Sequence, residues 1–180
     1  PSGLIEKFVE IEDFNKYWHQ KFTSENINKS ILYLFYLLQF SQLEIKHLDK
    51  KIELSKKIAI TLAEIRDCKE DTINFLKQEF LAPSNIYYYL HNKSNELLFI
   101  ILLETRKDIP IRERIKKYLT IYKKTTTFLS GEDLTNLGMK PGPIYARILK
   151  LIFYLQMNGI LNSREEEIAF LTRLLAKGII

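Results

Sequence analysis

The sequence PGPIYARILKLIFYLQMNG, residues 141–159, carries apolar side chains at helical spacing between two helix-boundary signals. Pro143 suits the first turn of a helix, and Gly159 suits the position just after the last turn. The apolar residues that share one face are Ile144, Ile148, Leu151, Ile152 and Leu155. The pattern predicts an amphipathic helix from about Pro143 to Asn158.

The residues before this helix predict a very short helix followed by a glycine-proline turn. Ser130 is a candidate N-cap with Asp133 three residues later, and Gly138 is a candidate left-handed residue beyond the helix end. Gly142 would bring the backbone close to an approaching group, at the positive end of the next helix dipole. A bound phosphate and an ordinary turn are both consistent with this pattern. The cations that could reach the same phosphate are Lys140, Arg147 and Lys150.

The net charge of +5 is concentrated in residues 106–150, which contain 11 basic and 4 acidic side chains. Such a segment is typical of polyanion-binding surfaces, because cations that contact phosphates release condensed counterions, but solvated helix faces have a similar composition. A helix is predicted to start near Pro110, with Tyr118 and Tyr122 in the core. The basic residues within one arc of about 140° on its wheel are Arg112, Lys116, Lys117, Lys123 and Lys124.

Helical periodicity continues upstream, and no run of strictly alternating residues indicates a strand. The fold is therefore predicted to be all-α, with many helices in two packed subdomains. Further helices are predicted over Asp13–Phe22, Ser24–Phe40, two within Leu43–Ile65 with a break near Lys51 to Ser55, Thr72–Phe80, Asn85–Leu90 and Glu96–Glu104. Pro83 ends one pattern and Ser84 can cap the next. A boundary here would separate a body, residues 1–82, from a tail, residues 83–180.

Composition narrows the class of protein. With 46% hydrophobic residues, 6 Gly and 5 Pro in 180 residues, the chain is typical of a packed globular protein rather than a disordered or collagen-like one. A single cysteine, Cys68, permits no internal disulfide, and three scattered histidines do not complete a zinc site with it. We therefore predict no metal ligand and assign no catalytic residue.

The sequence also carries information about location. No apolar run approaches the roughly 18 residues of a membrane-spanning helix, so no membrane contact is predicted. The chain starts without Met or a signal-peptide pattern, which suggests a piece of a longer protein. With one cysteine, it is expected in a reducing, cytoplasmic environment.

A longer motif carries a family resemblance. It runs from SGEDL at residues 130–134 through LGMKPGP at 137–143, then Ile148-Leu149, Asn158-Gly159 and SREE at 163–166. This string resembles the C-terminal body and tail of bacterial tRNA nucleotidyltransferases, which include CCA-adding enzymes, and of the related poly(A) polymerases. Looser similarity upstream extends the resemblance over the whole chain. The departures are Ala146, Met139 and the pair Met157-Asn158, and none removes a turn glycine.

The resemblance implies a helical unit that binds tRNA near its elbow while a catalytic head acts on the 3′ end. The head of that family has a Gly-Ser motif and an Asp-x-Asp pair that use Mg²⁺ and a nucleoside triphosphate, and neither motif occurs here. The expected partners are tRNA and such a head domain, with no cofactor and no catalysis in this chain. Ser163 and Glu166 have capping-box spacing and are expected to be structural.

Two alternatives remain at the sequence level. A DNA-binding helix-turn-helix protein would place the helix after Pro143 in a major groove, although its exposed positions offer few base-reading side chains. A helical protein-interaction adaptor would dock another domain through Leu- and Phe-rich faces, and exposed apolar surface near the N-terminus would favour it.

Overall fold

The computed structural model describes residues 2–41 and 54–177, and these residues form helices and no strands. The all-α prediction is confirmed. The helices are α1 (Ser2–Lys21), α2 (Lys29–Ser41), α3 (Lys56–Lys77), α4 (Pro83–Leu90), α5 (Asn95–Glu104), α6 (Ile109–Thr120), α7 (Gly131–Asn136), α8 (Pro143–Met157) and α9 (Arg164–Ala176), with a 3-10 turn at Tyr122–Lys124. The first helix predicted within Leu43–Ile65 and most of the break after it lie outside the described residues.

The connection between α1 and α2 differs from the prediction of helices over Asp13–Phe22 and Ser24–Phe40. α1 starts earlier than predicted, and α2 starts later, at Lys29. Trp18 explains the late start of α2, because its indole N–H donates to the carbonyl oxygen of Glu25 at 2.8 Å. The Trp18 ring is fully buried, so this hydrogen bond fixes the Glu25 carbonyl in the turn. The carbonyl is therefore not used in a helical hydrogen bond.

α3 is a single helix where the sequence predicts one helix ending near Ile65 and another over Thr72–Phe80. It ends before the predicted limit, and Phe80 is exposed. Arg114 of α6 accounts for this end, because its guanidinium donates to three backbone carbonyls that a longer helix would use internally. Those carbonyls belong to Leu76, to Gln78 at 2.7 Å and to Glu79 at 3.1 Å.

The buried apolar side chains form two clusters. The larger cluster draws on α1 to α6, and α5 runs through it with residues 97–103 all buried. The smaller cluster packs α7, α8 and α9 around Leu134, Ile152 and Leu171. The larger cluster includes residues on both sides of position 82, and the division into residues 1–82 and 83–180 stays a prediction.

The start of α4 is held by a residue at the end of α8. Its N-cap is Ala82, which offers no side-chain acceptor, so the prediction of a Ser84 cap is wrong. The backbone N–H of Ser84 instead donates to the side-chain oxygen of Asn158 at 3.1 Å. Asn158 follows the last residue of α8, so one amide side chain joins the start of α4 to the end of α8.

Aromatic packing also joins α8 to the larger cluster. The ring of Tyr87 on α4 lies 4.8 Å from that of Phe153 on α8 and 6.3 Å from that of Tyr118 on α6. Tyr118 is buried, which confirms its predicted place in the core. Tyr122 is half-buried and packs against the same cluster. α8 is therefore positioned relative to the larger cluster through α4.

Candidate nucleic-acid interface

The predicted short helix and its turn are present. Ser130 and Asp133 form a capping box, in which each side chain accepts the backbone N–H of the other residue. The backbone and hydroxyl hydrogen bonds from Ser130 hold the pKa of Asp133 below its ordinary value, and Arg164 pairs with the same carboxylate. Asp133 is thus a charged capping residue, as its position in the sequence predicts.

Gly138 ends this helix in the left-handed conformation, with a φ of 84°. Its N–H donates to the Thr135 carbonyl at 2.9 Å, and the Met139 N–H donates to the Leu134 carbonyl at 3.2 Å. This pair of bonds is a Schellman motif, which explains why a glycine stands here. The direction in which the chain leaves α7 is therefore set by local hydrogen bonds.

Tyr145, in the first turn of α8, positions the turn that follows. Its hydroxyl donates to the Met139 carbonyl at 2.8 Å and lies 3.2 Å from the Thr135 hydroxyl. The phenol therefore joins α7, the turn and α8. Nothing in the sequence marks this residue, because the contact depends on how the turn folds back.

Gly142 is the N-cap of α8 and is exposed. Its φ of 173° is ordinary extended backbone, and a Cβ placed there would meet no atom within 4 Å. Among the described residues no side chain caps the first turn of α8, where Pro143 has no N–H and the Tyr145 N–H donates to the Gly142 carbonyl at 3.0 Å. The helix start therefore offers the Ile144 N–H and the positive end of the helix dipole. In the part of the chain that the structure describes, no neighbouring atom requires glycine at this position, in contrast to the left-handed backbone of Gly138.

This contrast predicts different results for two alanine substitutions. Gly138→Ala is expected to cost about 1 kcal/mol of unfolding free energy, because a Cβ is unfavourable in the left-handed region. Gly142→Ala is expected to leave stability within about 0.5 kcal/mol of the parent. Denaturant unfolding of both variants measures this, and an equal cost at the two positions would contradict it.

The exposed side of α8 carries a stripe of side chains at positions i, i+3, i+4 and i+7. Its members are Arg147, Lys150, Leu151 and Tyr154, and we call them the α8 stripe. Leu151 is 42% exposed, so its predicted place on the buried face is wrong. α8 packs on α4 and α7 through other sides, which leaves this leucine in solvent.

Tyr88 of α4 extends the α8 stripe. The ammonium group of Lys150 lies 5.4 Å from the centre of its ring, within cation–π range. Tyr88 and Tyr154 are both partly exposed, at 37% and 40%. Basic and aromatic side chains therefore share this surface. Tyr154 could have been found from its spacing to Arg147 and Lys150, whereas Tyr88 comes from a distant part of the sequence.

The predicted single basic face of the Pro110 helix is not formed. α6 ends at Thr120, and Lys123 and Lys124 lie in the 3-10 turn, where a wheel of about 100° per residue no longer applies. Lys123 pairs with the carboxylate of Glu25, which is 6% exposed. This lysine therefore neutralises a buried charge within the protein.

All nine predicted RNA-binding residues are exposed, but they occupy three places. Lys140, Gly142, Arg147 and Lys150 lie on α8 or its turn. Arg112 and Lys116 line a cleft between α6 and α1, and Lys117 is on the same helix. Lys123 and Lys124 are in the 3-10 turn. The prediction of these residues as RNA contacts stays a prediction.

Other local features concern structure rather than chemistry. Ser163 caps α9 by accepting the Glu166 N–H at 3.2 Å, but the Glu166 carboxylate accepts from Asn162 rather than closing the predicted capping box. In the described ranges, no group of three or more His, Cys, Asp or Glu side chains could hold a metal ion. No helix of residues 2–41 or 54–177 has the length and apolar content of a membrane span.

Together these features define a class, an all-helical unit in which α8, with Tyr88 of α4, presents a basic and aromatic surface. Over 98 residues, 54% of its length, the chain is 33% identical to the A-adding tRNA nucleotidyltransferase of Geobacter sulfurreducens (strain ATCC 51573 / DSM 12127 / PCA). This similarity supports a relation to the tRNA nucleotidyltransferase family. The matched residues span 11% of the length of that relative. No family model matches the chain, and no solved structure matches it.

Proposed function

We propose that this chain is the tRNA-binding body and tail of a nucleotidyltransferase, which positions tRNA while a separate head domain adds nucleotides. The single observation that carries the proposal is the α8 stripe, which lies beside an uncapped helix N-terminus. Backbone N–H groups, cations and aromatic rings are the groups that bind phosphates and unpaired bases in RNA.

The geometry of α8 suits a sugar-phosphate backbone. Gly142 leaves open space at the helix start, and Lys140 precedes it in the turn. Arg147 and Lys150 continue along the exposed side of the helix by about one turn each. Phosphates of folded RNA could follow this line, and Tyr88 or Tyr154 could stack on a neighbouring base.

The similarity to an A-adding tRNA nucleotidyltransferase supports the choice of RNA. That relative acts on tRNA by its name, and we propose tRNA as the partner of this chain, bound near the elbow. In the proposal Mg²⁺ and the nucleoside triphosphate belong to the head domain, the whole protein is cytoplasmic, and this chain contributes no catalytic residue.

Competition between nucleic acids at matched salt tests the proposal. We expect intact tRNA to bind at least about tenfold more tightly than an acceptor-stem minihelix, which lacks the elbow, and than duplex DNA of equal length. Fluorescence anisotropy with each labelled nucleic acid measures this. Preference for DNA would favour the helix-turn-helix alternative, and equal affinities would leave only unspecific attraction of a basic surface.

One observation favours a second role as a protein-interaction surface. Ile5 and Val9 on α1 and Leu37 on α2 are exposed by 45% or more, and they line a groove of about 770 Å³. An exposed apolar groove of this kind is typical of protein contacts. It lies on helices other than α8, so contact with a head domain there is compatible with RNA bound at the α8 stripe.

A further inference from the structure

A cleft of about 470 Å³ lies between α1 and α6, and its lining residues include none of the α8 stripe. This volume is within the range of about 300–1,000 Å³ that small-molecule sites occupy. One wall comes from consecutive turns of α1 and the other from the first two turns of α6. The side chains that matter for its chemistry are Phe14 and Tyr17 on α1, Arg106 before α6, and Arg112 and Lys116 on α6.

The α1 wall is aromatic and held in place. The rings of Phe14 and Tyr17 stack with centroids 5.3 Å apart and planes 29° from parallel. The buried ring of Phe99 meets Phe14 edge-on at 4.9 Å, which anchors the pair to the larger cluster. The guanidinium of Arg106 lies 5.8 Å from the centre of the Phe14 ring, within cation–π range. A flat ligand ring that stacks on this wall therefore meets rings already held in place and a cation beside them.

The α6 wall is cationic. Arg112 uses one guanidinium N–H on the carbonyl of Arg106 at 3.1 Å, which orients the group. Within residues 2–41 and 54–177 its other guanidinium donors have no hydrogen-bond partner. Lys116 lies 3.7 Å from the carboxylate of Glu113, which also lines the cleft, and this exposed pair is a weak one. The cations of this wall are thus placed but only partly used by the protein.

Carboxylates on the α1 side of the cleft are offset by lysines of their own helix and by Arg106, whose guanidinium lies 3.8 Å from the Glu10 carboxylate. Lys7 donates to Glu10 at 2.8 Å and Lys16 to Asp13 at 3.1 Å. The hydrogen bond from Lys7 lowers the pKa of Glu10, so this carboxylate stays ionised and paired. The negative charges of the α1 side are therefore partly neutralised. An anion entering between the helices meets the guanidinium of Arg112 and the ammonium group of Lys116 on α6.

We propose that this cleft binds one unpaired nucleotide of an RNA, with its base on the Phe14–Tyr17 wall and its phosphate on Arg112 and Lys116. The choice of an RNA ligand rests on the function proposed above. That the ligand combines a flat ring with a phosphate is inferred from the aromatic and cationic walls of the cleft. Unpaired bases in RNA are recognised by aromatic stacking combined with cationic contacts to the backbone. An apolar helix would be a poor occupant, because it would bury these charged groups without partners.

Titration of the isotope-labelled 180-residue chain with adenosine 5′-monophosphate tests the chemistry of the cleft. We expect backbone amide signals of residues 13–17 and 112–116 to shift. Adenosine and ribose 5-phosphate, each lacking one half of the ligand, should bind at least about tenfold more weakly. Equal shifts with ribose 5-phosphate, or no shifts in these residues, would overturn the proposal.

Variants separate the two walls. Arg112→Gln is expected to weaken mononucleotide binding about tenfold, whereas Arg173→Gln, an exposed arginine on α9, should leave it unchanged. Tyr17→Phe keeps the ring and should retain binding, and Tyr17→Leu should lose most of it. Amide spectra of the free variants establish that each is folded. Full binding by folded Tyr17→Leu would remove the stacking wall from the proposal.

A five-nucleotide single-stranded RNA distinguishes a nucleotide within a chain from a free one. We expect the five-nucleotide RNA to shift the same amide signals and to compete with the mononucleotide. If the mononucleotide shifts these signals and the five-nucleotide RNA does not, the assignment of the cleft to RNA is overturned. Intact tRNA is measured on the same samples. Binding of tRNA without any response in the cleft refutes this inference only, whereas binding of the mononucleotide without tRNA refutes the proposed function.

Discussion

Replacement of Lys140, Arg147 and Lys150 together by glutamine is expected to weaken tRNA binding about 10- to 100-fold near 0.1 M salt. Each exposed cation contributes on the order of 0.5–1 kcal/mol to such a surface, and each lost phosphate contact lowers the salt slope by about 0.9. The slope of log affinity against log salt should therefore fall by about two to three. Fluorescence anisotropy at several salt concentrations measures both quantities.

A matched variant controls for net charge. Lys56, Lys57 and Lys77 are exposed on α3, and their replacement by glutamine removes the same three charges from another helix. This control is expected to lower tRNA affinity by no more than about threefold. If the two triple variants bind equally weakly, overall charge explains the binding, and the α8 stripe is not the site.

Removal of the Glu167 side chain is expected to destabilise the region before α7 by about 2 kcal/mol. Glu167 is fully buried, and its carboxylate accepts the backbone N–H groups of Leu129 at 2.9 Å and Phe128 at 3.4 Å. In Glu167→Ala these donors lose their acceptor while one remains buried, which costs more than an exposed hydrogen bond. Denaturant unfolding and amide exchange at residues 128 and 129 measure the effect.

The pH dependence of the same residue has a definite sign. Burial raises the pKa of Glu167 above its ordinary 4.5, although the amides of Leu129 and Phe128 oppose this. The folded protein therefore holds this proton more tightly than the unfolded chain, so the stability from this group is present below pH 4.5 and is lost as the pH rises through the raised pKa.

Glu167→Gln cannot titrate and serves as the reference for this effect. The unfolding free energy of the parent minus that of Glu167→Gln is expected to increase as the pH falls toward 4.5. The difference is the useful quantity, because carboxylates with lowered pKa values, such as Asp133, affect both proteins equally. A difference that does not change with pH would contradict the raised pKa.

Local signals in the sequence were sufficient for the fold class and for several helix ends. Asp108 caps α6 by accepting the Ile111 N–H at 3.2 Å, and Ser130 and Gly138 begin and end α7 as predicted. These features involve residues within a few positions of one another. Hydrogen-bonding side chains and glycine conformation act over that distance, so the sequence is enough to predict them.

Features that depend on distant residues were not predicted. The end of α3 depends on hydrogen bonds from Arg114, and the position of the Lys123 side chain depends on its ion pair with Glu25. Both partners are far away in the sequence. The wheel that grouped Lys123 with Lys116 assumed a helix continuing past Thr120. A periodic pattern identifies which residues share a face only while the same helix continues, and it does not say which neighbour covers that face.

The candidate surface combines both kinds of information. Lys140, Arg147 and Lys150 were found from the sequence, because a glycine-proline turn before a helix is a local pattern. Tyr88 reaches Lys150 only because α4 packs against α8. The cleft between α1 and α6 likewise needed the folded chain, since its aromatic and cationic walls are almost a hundred residues apart in sequence.

The ring of Tyr87 on α4 contacts aromatic rings on both α6 and α8. The side chain of Asn158, after the last residue of α8, accepts a hydrogen bond from the first turn of α4. A force applied to the exposed side of α8 is therefore transmitted to α4 and α6, because α8 is packed on α4 and hydrogen-bonded to it. Under mechanical load, α8 should therefore unfold together with α4 and α6. A ligand bound to α8 is expected to stabilise these helices against forced unfolding as well.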